Sequence, residues 1–141
     1  MYTRMGAKKI RGIAKDTLDF ILSASRSSHP LEFAGLLQVE KDVIVNIILL
    51  PGTESSETSA IMRLDMAPIG LSTVGSVHSH PLPNNSPSRE DLHMFSRRGK
   101  YHIIVCYPYD FESWRCYDRN GKSIELEVLD IEFDEEEVSL W

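Results

Sequence analysis

Two histidines one residue apart, His78 and His80, lie just before Pro81, and Asp91 follows in the next stretch of chain. In an extended segment alternate side chains point to the same face, so both imidazoles would converge with Cα atoms about 6.6 Å apart. Bonds of about 2.0–2.1 Å between zinc and nitrogen allow both rings to bind one ion, and Asp91 can supply a third ligand. Three protein ligands with an open fourth position are typical of a catalytic zinc site.

The pattern around the histidine pair extends in both directions along the chain. It reads Glu32, a long gap, His78-Ser79-His80, seven residues, and then Ser88-Arg89-Glu90-Asp91. This pattern resembles the JAMM (MPN+) metalloprotease motif, in which a glutamate precedes His-Ser/Thr-His-x7-Ser-x-x-Asp, and every motif position is filled. The similarity to short archaeal members of that family spans roughly residues 10 to 129. Within this span, three further stretches resemble those members, at residues 29–33, 64–81 and 99–109.

The resemblance implies a fold and a role for each motif residue. The fold would be a curved mixed β-sheet flanked by helices, of the cytidine-deaminase-like kind. One Zn²⁺ per chain would be held by His78, His80 and Asp91, with Glu32 as general base and then acid. Ser88 would donate a hydrogen bond to the oxyanion of the tetrahedral intermediate. Ser88-x-x-Asp91 also has the form of a helix capping box, and the two roles of Ser88 are compatible.

The function implied by the resemblance is that of a zinc-dependent metallopeptidase. It would be an isopeptidase that hydrolyses the amide after the C-terminal glycine of a ubiquitin-like modifier, by direct attack of zinc-activated water. Conjugates of such a modifier would be its partners. One alternative is the processing of a ubiquitin-like sulfur-carrier precursor at the same kind of site. Another is a non-catalytic MPN scaffold, although such proteins typically lack motif residues. The sequence leaves the oligomeric state open.

Composition limits the class of protein. The 141 residues suit one domain, with a core of about residues 10–130 and an acidic C-terminal tail over residues 130–141. A net charge of −6 does not favour binding to nucleic acid, because proteins that bind it usually carry a basic face. The sequence contains no run of about 20 apolar residues to span a membrane, and no apolar stretch follows its basic start. These features predict a cytoplasmic protein.

Hydrophobic periodicity predicts an α/β chain with a mixed sheet and the site at a strand end. A helix over residues 10–27 should end at His29-Pro30, because the residue before a proline avoids the α region. Asn120-Gly121 predicts a type I′ hairpin turn. Residues 51–59 are predicted to be a polar loop, and a further hypothesis is that this loop and the segment to residue 66 guide a modifier tail by strand addition. A second helix is predicted over residues 88–98, and strands over residues 33–39, 43–50, 60–65, 73–80, 101–107, 112–117 and 123–129.

The remaining histidines and the cysteines receive other roles. His29 is predicted to lie at a helix end, His102 to have a local partner in a strand, and His93 to point away from Asp91 around its helix. Cys106 and Cys116 lie on neighbouring predicted strands, which leaves a disulfide open, whereas a cysteine nucleophile would need an activating base. Ser79, between the two histidines, should point to the opposite face of its strand.

Overall fold

The computed structural model describes residues 9–50 and 73–131. The predicted loop at residues 51–59 and the predicted strand at 60–65 lie outside these residues. Within them the chain forms eight strands and two helices. Their bounds are β1 Gly12–Ala14, α1 Lys15–Ser28, β2 Ala34–Glu40, β3 Val43–Leu49, β4 Thr73–His80, α2 Arg89–Phe95, β5 Tyr101–Cys106, β6 Trp114–Tyr117, β7 Ser123–Ile124 and β8 Val128–Leu129.

The strands form one mixed sheet in the order β7-β6-β5-β4-β2-β3-β1-β8. Strands β4 and β5 are parallel, as are β1 and its two neighbours, and the other pairs are antiparallel. The two outermost strands are close in sequence, since β7 ends at Ile124 and β8 begins at Val128. Four residues of extended chain span at most about 14 Å. The two ends of the sheet therefore lie near each other, and the sheet is curled, which confirms the predicted fold class.

Strand alternation gives the sheet two differently covered faces. Val77 of β4 packs with Leu18 and Ile21 of α1 in the larger hydrophobic cluster, on the inner face. The smaller cluster joins Met94 and Phe95 of α2 to strand residues on the other face. His78 and His80 alternate with Val77, so both imidazoles lie on the face covered by α2.

The start of the predicted first helix is wrong. Residues Gly12–Ala14 form β1, fully buried, and α1 begins only at Lys15. β1 pairs with β3 on one side and β8 on the other, so long-range hydrogen bonding overrides the local helical pattern. A Cβ on Gly12 would lie 2.3 Å from the carbonyl oxygen of Glu127, which explains a glycine at this crowded position. The helix ends at Ser28, with His29 as its C-cap residue, as predicted.

The predicted strand at residues 123–129 is also wrong as a single element. Ser123–Ile124 pairs with β6, whereas Val128–Leu129 pairs with β1 at the opposite end of the sheet. Alternation of apolar and charged residues is the same for one long strand and for two short ones, so the pattern does not reveal the crossing. The predicted strands at 33–39, 43–50, 73–80 and 101–107 agree with the structure to within one residue at each end, and the strand predicted at 112–117 begins at Trp114.

The hairpin turn predicted from the sequence differs in type, and a type I′ turn lies elsewhere in the chain. The predicted hairpin at Asn120-Gly121 is present, but only Gly121 of that pair has a positive φ, of 83°. A hydrogen bond from Gly121 N to Asp118 O closes a type I turn, and Gly121 follows it in the left-handed region. The positive-φ pair that defines a type I′ turn is instead Lys41-Asp42, at 52° and 68°, between β2 and β3.

The two cysteines do not form a disulfide. Both are free and buried, and the register places Ile103, not Cys106, opposite Cys116. Cys116 therefore faces the inner core, whereas Cys106 lies beside His80 on the other face of the sheet. Burial raises the pKa of Cys116 to about 12, and burial with the nearby Asp110 raises that of Cys106, so neither thiol is a nucleophile at neutral pH.

No helix in the described segments is long and apolar enough to cross a membrane.

Candidate metal centre and active site

Strand β4 delivers the two histidines to one point at its C-terminal end. His78 is fully buried between Ala34 of β2 and Ile104 of β5, and His80 is the last residue of the strand. Their ring centroids are 5.0 Å apart, and their Nε2 atoms are 3.2 Å apart. The predicted convergence of the two imidazoles is therefore present in the fold.

The first turn of α2 directs Asp91 at the same point. Ser88 is the N-cap residue, and its hydroxyl accepts a hydrogen bond from Asp91 N at 3.0 Å. The Asp91 Oδ2 atom accepts one in return from Ser88 N at 2.9 Å, which completes a capping box. This reciprocal pair fixes the carboxylate, with Oδ1 lying 3.1 Å from His78 Nε2 and Oδ2 lying 3.4 Å from His80 Nε2.

The spacing of these three side chains fits a tetrahedral metal ion. Two donor atoms at 2.0–2.1 Å from one ion, at a tetrahedral angle, are separated by about 3.3 Å. The separations here are 3.2 Å between the imidazoles and 3.1 and 3.4 Å from imidazole to carboxylate. Apart from the His78 imidazole, the buried Oδ1 atom of Asp91 has no hydrogen-bond partner within the described residues. His78, His80 and Asp91 are thus positioned to bind a metal ion together.

The charge state of the cluster suits a cation. Burial on its own would raise the pKa of Asp91, but the imidazoles of His78 and His80 and the Ser88 amide lower it well below its usual range. Burial likewise opposes protonation of His80, but hydrogen bonds to Asp91 and Asn84 and the charges of Asp91 and Glu32 together raise its pKa. Protons therefore compete with a metal ion for His80 as the pH falls.

Glu32 lies beside the histidines because the start of β2 is bonded to β4. Phe33 N donates to the Ser79 hydroxyl at 2.8 Å, and Ser79 N donates to Phe33 O at 3.0 Å. Ser79 therefore faces away from the metal ligands, as predicted, and holds the backbone next to Glu32. The Glu32 side chain is buried, with 7% exposure, yet it lines an open cavity.

Three of the motif residues meet at an open cavity. Its volume is about 350 Å³, and Glu32, His80 and Ser88 all contribute to its wall. Because the Ser88 hydroxyl uses its oxygen to accept the Asp91 amide, its own proton remains available to donate. The rest of the wall comes mostly from the loop between β4 and α2: Pro81, Leu82, Asn84, Ser86 and Pro87.

The other histidines lie outside the cluster. His29 bonds the Tyr109 hydroxyl at 2.8 Å, and His93 is exposed on α2. His102 is fully buried and bonded to Ser76 Oγ at 2.7 Å and Gly99 O at 3.0 Å, so it has the predicted local partner. Sequence reasoning missed the Asn84 carbonyl, which lies 3.0 Å from His80 Nδ1. A backbone carbonyl carries no side-chain signal that could have revealed it.

Comparison with known families agrees with this geometry. Residues 14–117 match the family described as prokaryotic homologs of the JAB domain. The chain belongs to this JAB-domain family. The matched range spans the five motif positions, and the family match confirms the resemblance found in the sequence.

Individual relatives of this JAB-domain protein support the same family assignment. A probable metalloprotease from Haloferax volcanii is 38% identical, over 93% of this chain and 87% of its own length. A JAB1/MPN domain protein from Archaeoglobus fulgidus has a solved structure with a TM-score of 0.71 and 48% identity, covering 84% of this chain and 99% of that one. A JAMM structure described as a metalloprotease-like zinc site in the proteasome and signalosome has a TM-score of 0.69 and 44% identity, covering 86% and 100%.

Proposed function

We propose that this protein hydrolyses the amide bond after the C-terminal glycine of a ubiquitin-like modifier conjugated to another protein. The coarser statement, that it is a zinc metallopeptidase, rests on its family, its metalloprotease relative and the arrangement of His78, His80 and Asp91. The observation that carries the proposal is that Glu32, Ser88 and His80, one member of this cluster, line the same open cavity.

The proposed zinc ligands are His78, His80 and Asp91. When bound, zinc supplies the Lewis acidity that makes water a nucleophile near neutral pH. The two imidazoles and one carboxylate are the ligand types that zinc takes in hydrolytic sites, where a fourth position stays open. The cavity provides that open side, because His80 forms part of its wall.

Glu32 is the proposed general base. Its carboxylate is almost fully buried but reaches the cavity, close enough to His80 to raise that residue's pKa. A carboxylate in this place can accept the proton of the attacking water and pass it to the leaving amine. The bonds between Phe33 and Ser79 hold it in register with the end of β4.

Ser88 is the proposed donor to the oxyanion that develops on the scissile carbonyl. Ser88 lines the same cavity as Glu32, and its hydroxyl oxygen already accepts a hydrogen bond from Asp91 N. A hydroxyl fixed through its oxygen has a restricted orientation for its proton, which is the preorganisation that oxyanion stabilisation requires.

Exposed apolar side chains around the cavity support an extended protein tail as the substrate. Leu82 lines the cavity and is 70% exposed. Leu31 directly precedes Glu32, and Tyr107 donates its backbone N–H to His80 O at 3.2 Å. Both are also about half exposed, at 49% and 48%. Apolar residues that precede the terminal glycine of a modifier could be buried against these side chains.

The test is cleavage of a ubiquitin-like modifier joined through its C-terminal glycine to a lysine side chain, with a linear fusion and an unstructured peptide of the same tail as comparisons. We expect cleavage after the glycine that a zinc chelator abolishes and that Glu32→Gln lowers by at least about 10²-fold. Glu40→Gln, the same change at the far end of β2, serves as the control and should leave the rate unchanged.

The three substrates separate the possible outcomes. Preferred cleavage of the isopeptide supports the proposal, whereas preferred cleavage of the linear fusion indicates precursor processing of the sulfur-carrier kind. Equal cleavage of the unstructured peptide would contradict recognition of a folded modifier. Zinc-loaded protein that cleaves none of the three would contradict the proposal altogether.

A further inference from the structure

A neutral His80 ring can bind a metal ion through Nε2 only when its one ring proton is on Nδ1. The Nδ1 atom lies 3.0 Å from the carbonyl oxygen of Asn84. Because a carbonyl only accepts hydrogen bonds, this contact requires N–H at Nδ1 and leaves the Nε2 lone pair facing His78 and Asp91. Partners of this kind set the tautomer and orientation of metal-binding histidines.

The Asn84 carbonyl belongs to the loop of residues 81–87 between β4 and α2. Inside the loop, Asn84 N donates to Leu82 O at 2.7 Å, and Ser86 N donates to Asn84 Oδ1 at 2.9 Å. These bonds shape the loop but do not connect it to the sheet. Two contacts make that connection: the bond of His80, at the end of β4, to Asn84 O, and a bond from Tyr117 of β6, 32 residues further along, whose hydroxyl donates to Asn85 O at 2.8 Å.

Apart from the bond of its hydroxyl, Tyr117 is held in place by its strand and by the packing of its ring. It is the last residue of β6, it is 5% exposed, and its ring stacks on Phe95 of α2 with centroids 6.1 Å apart. The helix that supports the tyrosine ring therefore also carries Asp91. His80 and Tyr117 thus hold the carbonyls of two successive loop residues, Asn84 and Asn85.

We infer that Tyr117 is a positioning residue for the metal centre, which fixes the loop carbonyl that orients His80. It is not one of the three candidate ligands and does not line the cavity, and it acts through Asn85, Asn84 and the imidazole. The inference rests on the zinc site of the proposed function but not on the identity of the substrate. Loss of the phenolic hydroxyl should therefore weaken zinc binding while the ring keeps its packing on Phe95.

The experiment compares Tyr117→Phe with Tyr101→Phe. Each substitution removes one tyrosine hydroxyl and one hydrogen bond to the backbone, but the Tyr101 hydroxyl accepts from Ile10 N, away from the loop. Zinc dissociation constants are measured by competition with a chromophoric chelator, beside thermal unfolding of the zinc-free proteins. We expect Tyr117→Phe to weaken zinc binding about tenfold, in the range for partners of metal ligands, and Tyr101→Phe to leave it unchanged.

A second measurement follows the tautomer of the His80 ring. Nitrogen NMR of the zinc-free protein in alkaline buffer should show a smaller fraction of the Nδ1–H tautomer in Tyr117→Phe than in the wild type. A merely structural tyrosine would lower the unfolding temperature without changing the zinc affinity or the tautomer. Zinc affinity within twofold of the wild type, with an unchanged tautomer, would overturn the inference.

Asn84→Gly keeps the inference testable if Tyr117→Phe fails to fold. Asn84 is exposed, and this change removes the side-chain bond to Ser86 N that shapes the loop and also frees the loop backbone. Zinc affinity should fall in the same direction, and an unchanged value would count against the loop as an orienting device. Normal zinc binding by the wild type without cleavage of modifier conjugates would refute the substrate proposal alone, whereas a wild type that binds no zinc would refute both.

Discussion

Ser88 has two separable hydrogen-bonding roles, and two substitutions distinguish them. Its oxygen caps α2 by accepting from Asp91 N at 3.0 Å, and its proton is the proposed oxyanion donor. The return bond, from Ser88 N to Asp91 Oδ2 at 2.9 Å, uses the backbone and survives replacement of the side chain. Both Ser88→Ala and Ser88→Gly should therefore keep Asp91 oriented and the zinc bound.

The two roles predict effects of different size. An N-cap serine changed to alanine costs about 1 kcal/mol of stability, whereas glycine costs only a few tenths, since glycine is itself tolerated at the N-cap. Loss of one oxyanion donor costs on the order of 10²–10³-fold in kcat, or about 2.7–4 kcal/mol of transition-state stabilisation. Ser88→Gly should thus unfold almost like the wild type but turn over far more slowly.

The assay combines urea unfolding, zinc content per chain and kcat on the modifier conjugate for both variants. We expect kcat to fall equally in the two variants, while the free energy of unfolding falls mainly in Ser88→Ala. A loss of only a few-fold in the zinc-loaded glycine variant would leave Ser88 with the capping role alone. A loss of activity that follows the loss of zinc would mean that Ser88 acts by positioning Asp91.

Three further outcomes are expected. Glu32→Gln should retain one zinc per chain and lose nearly all turnover, and near-normal turnover would refute its role as base. Asp91→Ala should lose the metal, seen as zinc content near zero after dialysis, and full retention would refute its role as ligand. Burial lowers the pKa of His102 from 6.5 to about 4, with contributions from the charges of His78 and Arg119. Because the folded pKa is the lower one, His102 should destabilise the fold by up to about 3 kcal/mol as the pH falls from 6.5 to 4. His102→Gln should flatten that part of the pH dependence in urea unfolding of zinc-free protein, and an unchanged slope would contradict the assignment.

The candidate site was largely predictable because its geometry is local. Alternation along one strand places His78 and His80 on the same face, and a capping box sets the direction of Asp91 one turn into a helix. Both rules need only a few consecutive residues. The long-range partner Glu32 came from the family resemblance, and its position depends on the Phe33–Ser79 bonds between β2 and β4, which local pattern does not encode.

The wrong predictions of secondary structure and turn type share one cause, which is pairing with strands that are not adjacent in the local pattern. Gly12–Ala14 has a helical pattern locally but pairs with two strands distant in sequence. Residues 123–129 keep one alternating pattern while they cross between the two ends of the sheet. The type I′ turn falls on Lys41-Asp42 rather than on a pair that contains glycine, because the tight pairing of Glu40 with Val43 imposes it.

The curled sheet also bears on how this protein meets other chains. In the described part of the molecule, the sheet ends in β7 and β8, two strands of only two residues each. Short edge strands present few unpaired backbone groups on which another strand could be templated. These two edges are thereby poor templates for edge-to-edge aggregation. A modifier tail that bound to this part of the protein would have to be recognised through side chains around the cavity rather than by extending the sheet at either of these ends.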